Sequence, residues 1–513
     1  MTLLDCAVLA VYFFGILAAG LWFGRRERDT NDYFLGGRSQ HWLLAGISIV
    51  ATEVSALTLV AVPAESFWGN WNYLQMYFGS FVGRVLILFL LLPAFYGGAV
   101  TTVYQYLGRR FGPATQTVAA SMFFVSRLLG SSIRLLLGSM SLSIVFGWPL
   151  WLVLVGSAAI TIAYTTAGGI RAIMWTDLFQ ALIFVGGAMV VVFFVAWVTP
   201  GNAADAIVEC YQSGKLRVFN FDLHLNNDKA FLVLFTHAIV QNMAALGCDQ
   251  DLTQRMLTCR NLHQGQKSLL FNAVVGFPIV CLFLSVGVML HIYFRVHGLG
   301  SLPPEIEKHE DRVFPIFMAH ELPSGLRGLL VTAVFAATMS SLASAIGALS
   351  SSFVTDFYRP IAERVRSAAG MSESHFLRIA RMASVGFGVI LIAAALAFSS
   401  RDKLLWEAFK WSSLLFGGML GVFLLGVTTR HRGDDIMNVV AMVTSVILLA
   451  GIKAAQERFG AVWIAWPWWV VIGTAWTYIL GGCFRSRRSV ASVEADGSTV
   501  VERGPSFLLP NKG

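Results

Sequence analysis

The chain has 513 residues, of which 56% are hydrophobic and 13% charged, with a mean hydropathy of +0.67. Soluble globular proteins carry about 25% charged residues, so the composition excludes that class and indicates an all-α polytopic membrane protein. The formal net charge of +8 reflects where lysines and arginines flank spans, so a lipid bilayer is the expected partner and nucleic acid is not. The six cysteines (Cys6, Cys210, Cys248, Cys259, Cys281 and Cys483) include no CxxC pair, which argues against a disulfide framework or a metal cluster.

About 20 apolar residues cross a bilayer as a helix. That rule predicts about thirteen transmembrane helices, near 3–23, 41–66, 74–96, 116–146, 149–167, 172–198, 230–257, 267–296, 326–356, 375–398, 404–428, 435–454 and 464–484. The first apolar run, Leu3–Phe23, lacks a basic n-region and is followed by Arg25 and Arg26. It reads as a retained span with the N-terminus outside, not as a cleaved signal. One set of connections holds Arg25, Arg26, Arg28, Arg38, Arg109, Arg110, Arg171, Arg255, Arg260, Lys267, Arg359, Arg364, Arg366, Arg378, Arg381, Arg430, Arg432, Arg485, Arg487 and Arg488. The opposite set is poorer: Lys215, Arg217, Lys229, Arg295, Lys308, Arg312, Arg327, Arg401, Lys403, Lys453 and Arg458. The richer side is therefore the expected cytoplasmic one, with the C-terminus inside. Residues 489–513 read as a disordered cytoplasmic tail. Two external loops are long, 199–229 and 297–325, and the second carries the acidic run Pro303–Asp311. A solvated surface loop and an external lid are both open readings of that run.

Charges inside spans are expensive and few. They are Glu53, Arg84, Arg127, Arg134, Asp177, Asp249, Asp251, Glu407 and Lys410. Arg127 and Arg134 lie seven apart on the fourth span and share a face, with Ser131 between them. Arg134 either pairs with Glu53 or presents a bidentate fork to a substrate carboxylate. Arg84 and Arg127 read as structural pairs or snorkelling side chains. In the second span Thr52, Glu53, Ser55 and Thr58 interrupt an apolar run, and Pro63 is read as its end. A break near Ala51–Val54 would free backbone carbonyls for an ion, and an unbroken helix is the alternative. Gln241, Asn242 and Gly247 interrupt the seventh span, five spans later, which is the spacing of an inverted repeat.

The ninth span is dense in serine and alanine from Val334 to Asp356. On a helix the carbonyl of Ala337 lies beneath the hydroxyl of Ser341, with Ser340 adjacent and Ser344 one turn on. Such oxygens form either a small-residue packing face or a partial shell for a hard monovalent cation.

The motif A-G-G-I-R-A-I-M-W-T-D-L-F-Q (Ala167–Gln180) resembles a signature of the sodium:solute symporter family, which transports sugars, proline, iodide, multivitamins and sialic acid. The segments Asp32–Arg38, Tyr106–Gly112, Ala337–Ser341 and Phe416–Gly426 are similar to it as well, so the likeness runs from the first span to about residue 430. The resemblance implies a five-plus-five inverted-repeat, LeuT-like core. Residues 1–30 hold one extra N-terminal helix, 41–198 the first repeat, 230–428 the second, and 429–488 two extra C-terminal helices. It further implies a sodium site made by the carbonyls of Ala51, Val54 and Ala337 and the hydroxyls of Ser340 and Ser341. Five oxygens at about 2.4 Å would suit sodium, by analogy with other hard cations. Some members hold a second sodium, for which Asp177 with Ser340 and Ser344 would serve, although Ala343 stands where another hydroxyl is expected. Sugar-binding members use a glutamine on core helix 1 and an aromatic gate on core helix 6. Glu53 and Ser55 stand on the first here and Ala245 near the second, which argues against a plain sugar. Members taking acidic sugars use hydroxyls and an arginine, roles that Ser55 and Arg134 would fill, with Gln75 and Asn242 as further lining.

The reading is a sodium-coupled secondary symporter importing a small organic solute, a carboxylate or acidic sugar, and not an enzyme. Na+ and the solute are its partners, and it is expected as a monomer, multi-pass, in the plasma or inner membrane. A proton-coupled carrier titrating Glu53 or Asp177 is the alternative. A membrane sensor of the same fold and an intramembrane enzyme are further rivals.

Overall fold

A computed structural model describes residues 1–24, 29–199, 203–297, 310–365, 372–399, 404–460 and 462–486. The tail at 489–513, most of the Pro303–Asp311 run, and Arg25, Arg26, Arg28, Lys308, Arg366, Arg401, Lys403, Arg487 and Arg488 lie outside the described residues. Among the described residues every regular element is a helix, because a helix satisfies its own backbone groups where no water is present. The principal ones are Leu3–Gly24 (α1), Trp42–Glu53 (α2), Ala56–Trp68 (α3), Gln75–Leu90 (α4), Pro113–Phe146 (α5), Leu150–Val198 (α6) and Phe231–Gly247 (α7). There follow Gln250–Leu257 (α8), Leu262–Val296 (α9), Leu326–Ser352 (α10), Glu373–Ala397 (α11), Leu404–Thr428 (α12), Asp435–Phe459 (α13) and Trp468–Gly482 (α14).

Among the described residues nine helices are long and apolar enough to cross a bilayer, or eleven if each of two bent pairs forms one span. The difference from the thirteen predicted has two sources. At 49 residues α6 is too long for one crossing, and Gly169 (φ 49°, ψ −156°) interrupts it between the predicted spans 149–167 and 172–198. Glycine tolerates that positive φ without a Cβ clash. The last predicted span contains the 15-residue α14, which at 1.5 Å per residue falls short of a full crossing.

The bent pairs are α2–α3, with an angle of 56°, and α7–α8, with 61°. They fall where the five-span spacing predicts matching interruptions. Pro63 does not end its span as read from sequence; α3 continues to Trp68. A proline inside a helix is tolerated when neighbouring helices cover the freed backbone, and α9 lies against it with Gly287 at the Pro63 carbonyl. The loop predicted over 199–229 contains a further helix, Ala203–Gln212.

Close approach comes from glycine. A Cβ at Gly79 or Gly83 of α4 would collide with the Phe235 or Ile239 carbonyl of α7. Gly138 gives Thr338 the same clearance between α5 and α10. Small residues let backbones meet in this way where no hydrophobic effect drives helices together. As a result α10 is buried on every side, from Leu330 to Ser352 with few gaps.

Candidate functional site

The bend between α2 and α3 follows from local chemistry. Val54 (φ −78°, ψ 87°) leaves helical geometry, and the Ser55 amide bonds Glu53 O at 3.0 Å instead of continuing onto Ala51. Ser55 then caps α3, its Oγ accepting from the Leu57 amide at 3.2 Å. The Ala51 carbonyl is thereby free of the backbone ladder, and Ser340 Oγ of α10 reaches it at 3.3 Å. The adjacent Ser341 Oγ donates to the Ala337 carbonyl, one turn back along α10, at 3.1 Å. Ala51, Ala337 and Ser340 are fully buried, and Ser341 and Val54 nearly so. The predicted sodium ligands thus sit where the broken helix meets the serine-rich one.

The predicted second site is arranged differently. Asp177 Oδ1 accepts from Ser340 Oγ at 2.5 Å, and Oδ2 accepts from Ser48 Oγ at 2.5 Å. Arg255 of α8 donates to Asp177 Oδ2 at 3.3 Å and also bonds Ser344 Oγ. Arg255, counted from sequence among the charges of the arginine-rich connections, is not a connection residue. It is 1% exposed, on a short helix whose residues 250–257 are all buried.

A cavity of about 210 Å³ lies beside both bends. It is smaller than the ~300–1,000 Å³ of drug-sized clefts, which suits a small solute. Ser126, Arg127, Gly130 and Arg134 line it from one face of α5, and Glu53, Val54, Ser55 and Thr58 from the α2–α3 bend. Gln241, Asn242 and Ala245 face it from α7, Asn272 from α9, and Phe409 and Ser412 from α12. Nothing lies within 4 Å of a Cβ built on Gly130, so that glycine borders open space.

Three arginines line the cavity and differ in their partners. Arg84 Nη2 bonds both Glu53 oxygens, at 2.8 and 3.0 Å, and its guanidinium lies 5.0 Å from the Tyr77 ring. Arg127 pairs with Asp249 and, at 2.8 Å, with Asp251. Both therefore take the structural-pair reading. Arg134 does not pair with Glu53, because Arg84 and Asn272 Nδ2 (2.6 Å) already occupy that carboxylate. Among the described residues Arg134 has no ion-pair or hydrogen-bond partner.

Asn242 lies in the cavity wall, held by Ser80 Oγ at 2.6 Å. Gln75 does not. It is fully buried and bonds Asn72 O at 3.0 Å, Lys229 O at 3.2 Å and the Asn220 amide at 2.9 Å, pinning the 199–229 segment. Glu407 pairs with Lys410 at 3.0 Å along α12. Sequence reasoning missed Ser48, Gly130, Arg255 and Asn272. Of these Arg255 alone left a signal, its i,i+4 relation to Asp251, realised as a 2.8 Å ion pair.

Two interrupted helices flanking a cavity, with serine hydroxyls of a third helix against the freed carbonyl at one bend, are the features of a secondary transporter of the inverted-repeat type. The chain belongs to the sodium:solute symporter family, whose model matches residues 33–433, and it is a sodium-coupled, multi-pass membrane symporter of a small solute. It is 25% identical over 448 residues to a sodium/sialic acid symporter of Proteus mirabilis, covering 86% of this chain and 89% of that one. It is 28% identical over 426 residues to human sodium-coupled monocarboxylate transporter 1, covering 81% and 68%. A solved structure of a Na+-coupled sialic acid symporter in a substrate-bound outward-open state superposes with a TM-score of 0.80 at 25% identity, covering 94% and 97%. A closed-conformation structure of Mhp1, a nucleobase-cation-symport-1 family transporter, has the same fold, with a TM-score of 0.55 at 13% identity and coverage of 92% and 96%.

Proposed function

We propose that this symporter imports a small carboxylate-bearing solute and that Arg134 receives the carboxylate. The observation that carries this reading is the contrast among the cavity arginines: Arg84 and Arg127 are paired with protein carboxylates, and among the described residues Arg134 is not. A guanidinium left without an anion at a half-buried wall is a ready bidentate donor. Asn272 Oδ1, buried without a partner in the same wall, accepts a solute hydroxyl or amide. The likeness to a sialic acid and a monocarboxylate transporter agrees with this class.

Sodium binds between α2 and α10, on the carbonyls of Ala51, Val54 and Ala337 and the hydroxyls of Ser340 and Ser341. It orders the α2–α3 bend, whose next residues form the cavity wall, so each ligand improves binding of the other. Coupling of this kind is about 1–3 kcal/mol and reciprocal. The arginine-rich side faces the cytoplasm of a cell enclosed by its plasma or inner membrane, and the chain works as a monomer surrounded by lipid. Each sodium moved inward then gains about 2.3 kcal/mol per 100 mV. The cycle moves solute without covalent chemistry.

The test is sodium-dependent uptake in proteoliposomes of sialic acid, lactate, proline and glucose. Sodium-driven uptake of an acid and not of glucose is expected. Uptake confined to uncharged solutes would return Arg134 to a structural role.

A further inference from the structure

A sodium ion at the predicted second position would need the oxygens of Asp177, Ser340 and Ser344 to converge on it at about 2.4 Å. Those oxygens are already engaged. Ser344 Oγ accepts from Arg255 Nη2 and lies 3.3 Å from Thr52 Oγ1. Asp177 accepts from Ser340 and Ser48, both at 2.5 Å, and from Arg255 Nη2 at 3.3 Å. The guanidinium is itself fixed: Nε donates to Ser48 Oγ at 2.8 Å, and Nη1 to Asp251 O at 2.6 Å and Oδ1 at 2.8 Å. One buried side chain therefore ties α2, α6, α8 and α10 together at the carboxylate a second ion would need. Position 343 is alanine and supplies no further oxygen.

We propose that Arg255 is a tethered cation that takes the ligand set of a second sodium and limits this symporter to one sodium per cycle. The guanidinium, shared with Asp251 at 2.8 Å, places positive charge 3.3 Å from Asp177 through a directed hydrogen bond and cannot leave with the cargo. A sodium entering beside it would meet a carboxylate already held by a cation and two hydroxyls, together with like-charge repulsion at short range. The proposal rests on the α2–α10 position as the place of the single ion. It is independent of the identity of the solute.

The test is equilibrium binding of sodium-22 to the purified full-length protein without solute. Wild type and Arg255→Lys should each bind one ion per chain with a Hill coefficient near 1. Arg255→Met should gain a second ion, with two ions bound per chain at saturation. If that variant fails to fold, Ser344→Ala decides the matter, because it should still bind one ion within about twofold of the wild-type affinity. Two ions per wild-type chain, a single ion in folded Arg255→Met, or an ion lost in Ser344→Ala but kept in Ser341→Ala would each overturn the proposal. No bound ion at all in the wild type would overturn the α2–α10 position and this proposal with it.

Discussion

Replacing Arg134 with Met removes a cavity guanidinium that no protein carboxylate answers among the described residues. The folded protein therefore loses no ion pair, and its melting temperature without solute should stay close to wild type. Affinity for an anionic solute should fall. Hydrogen bonds to charged groups are worth about 1.5–3 kcal/mol each, so losing a bidentate pair costs about 3 kcal/mol after desolvation, or about two decades in Kd. In a thermal-shift assay at a ligand concentration near 100 Kd, stabilisation of about 2.7 kcal/mol should shrink to about 0.4 kcal/mol. Arg134→Lys keeps the charge and loses the fork, so a loss of about tenfold is expected. The control is Arg84→Met, which strips Glu53 of its 2.8 Å partner. Breaking a buried pair from one side costs about 3–5 kcal/mol, so this variant should melt early even without ligand. Full anion-induced stabilisation in Arg134→Met would refute the reasoning, as would equal melting losses in the two variants.

Other consequences separate the parts of the site. Gly130→Phe places a ring in open cavity space, so solute binding should vanish while sodium binding and melting hold, as read by sodium-22 binding and thermal shift. Ser341→Ala removes one proposed sodium ligand and only a 3.1 Å bond within its own helix. Sodium affinity should drop at least about tenfold with stability in choline buffer unchanged, and an unaltered sodium titration would dismiss that ligand. Gln75→Leu leaves the Asn220 amide and Lys229 carbonyl without their partner, a cost of about 1–3 kcal/mol. Faster hydrogen exchange over 218–231 with unchanged solute Kd is expected, and a large Kd change would restore Gln75 to the cavity.

The sequence carried the broken second span because Thr52, Glu53 and Ser55 conflict with a continuous apolar helix. That conflict is resolved in the structure at Val54 and Ser55. The serine-rich helix was equally visible, since its oxygens and their spacing belong to one local segment. Pairings across the bundle were not. Whether Glu53 meets Arg84 or Arg134 depends on the relative register of α2, α4 and α5, which no local pattern encodes. Gln75 illustrates the same limit, because it adjoins Met76 of the cavity wall yet turns the other way. Arg255 was missed for a further reason. It stands near the end of the predicted span 230–257, where an arginine reads as a flanking charge, and its burial depends on the Asp177 carboxylate of α6, far off in the chain.

The composition of α10 also bears on how fast the cycle can run. Alanine and serine have few rotamers to lose or exchange, so opposing surfaces made of them slide without unlocking knobs from holes. Near Ala51 the α2–α10 contact includes the 3.3 Å hydrogen bond from Ser340 Oγ to the Ala51 carbonyl. With sodium bound there as proposed, departure of the ion would remove an attraction between two surfaces of small side chains, and the helix that holds sodium would also be the one that releases it.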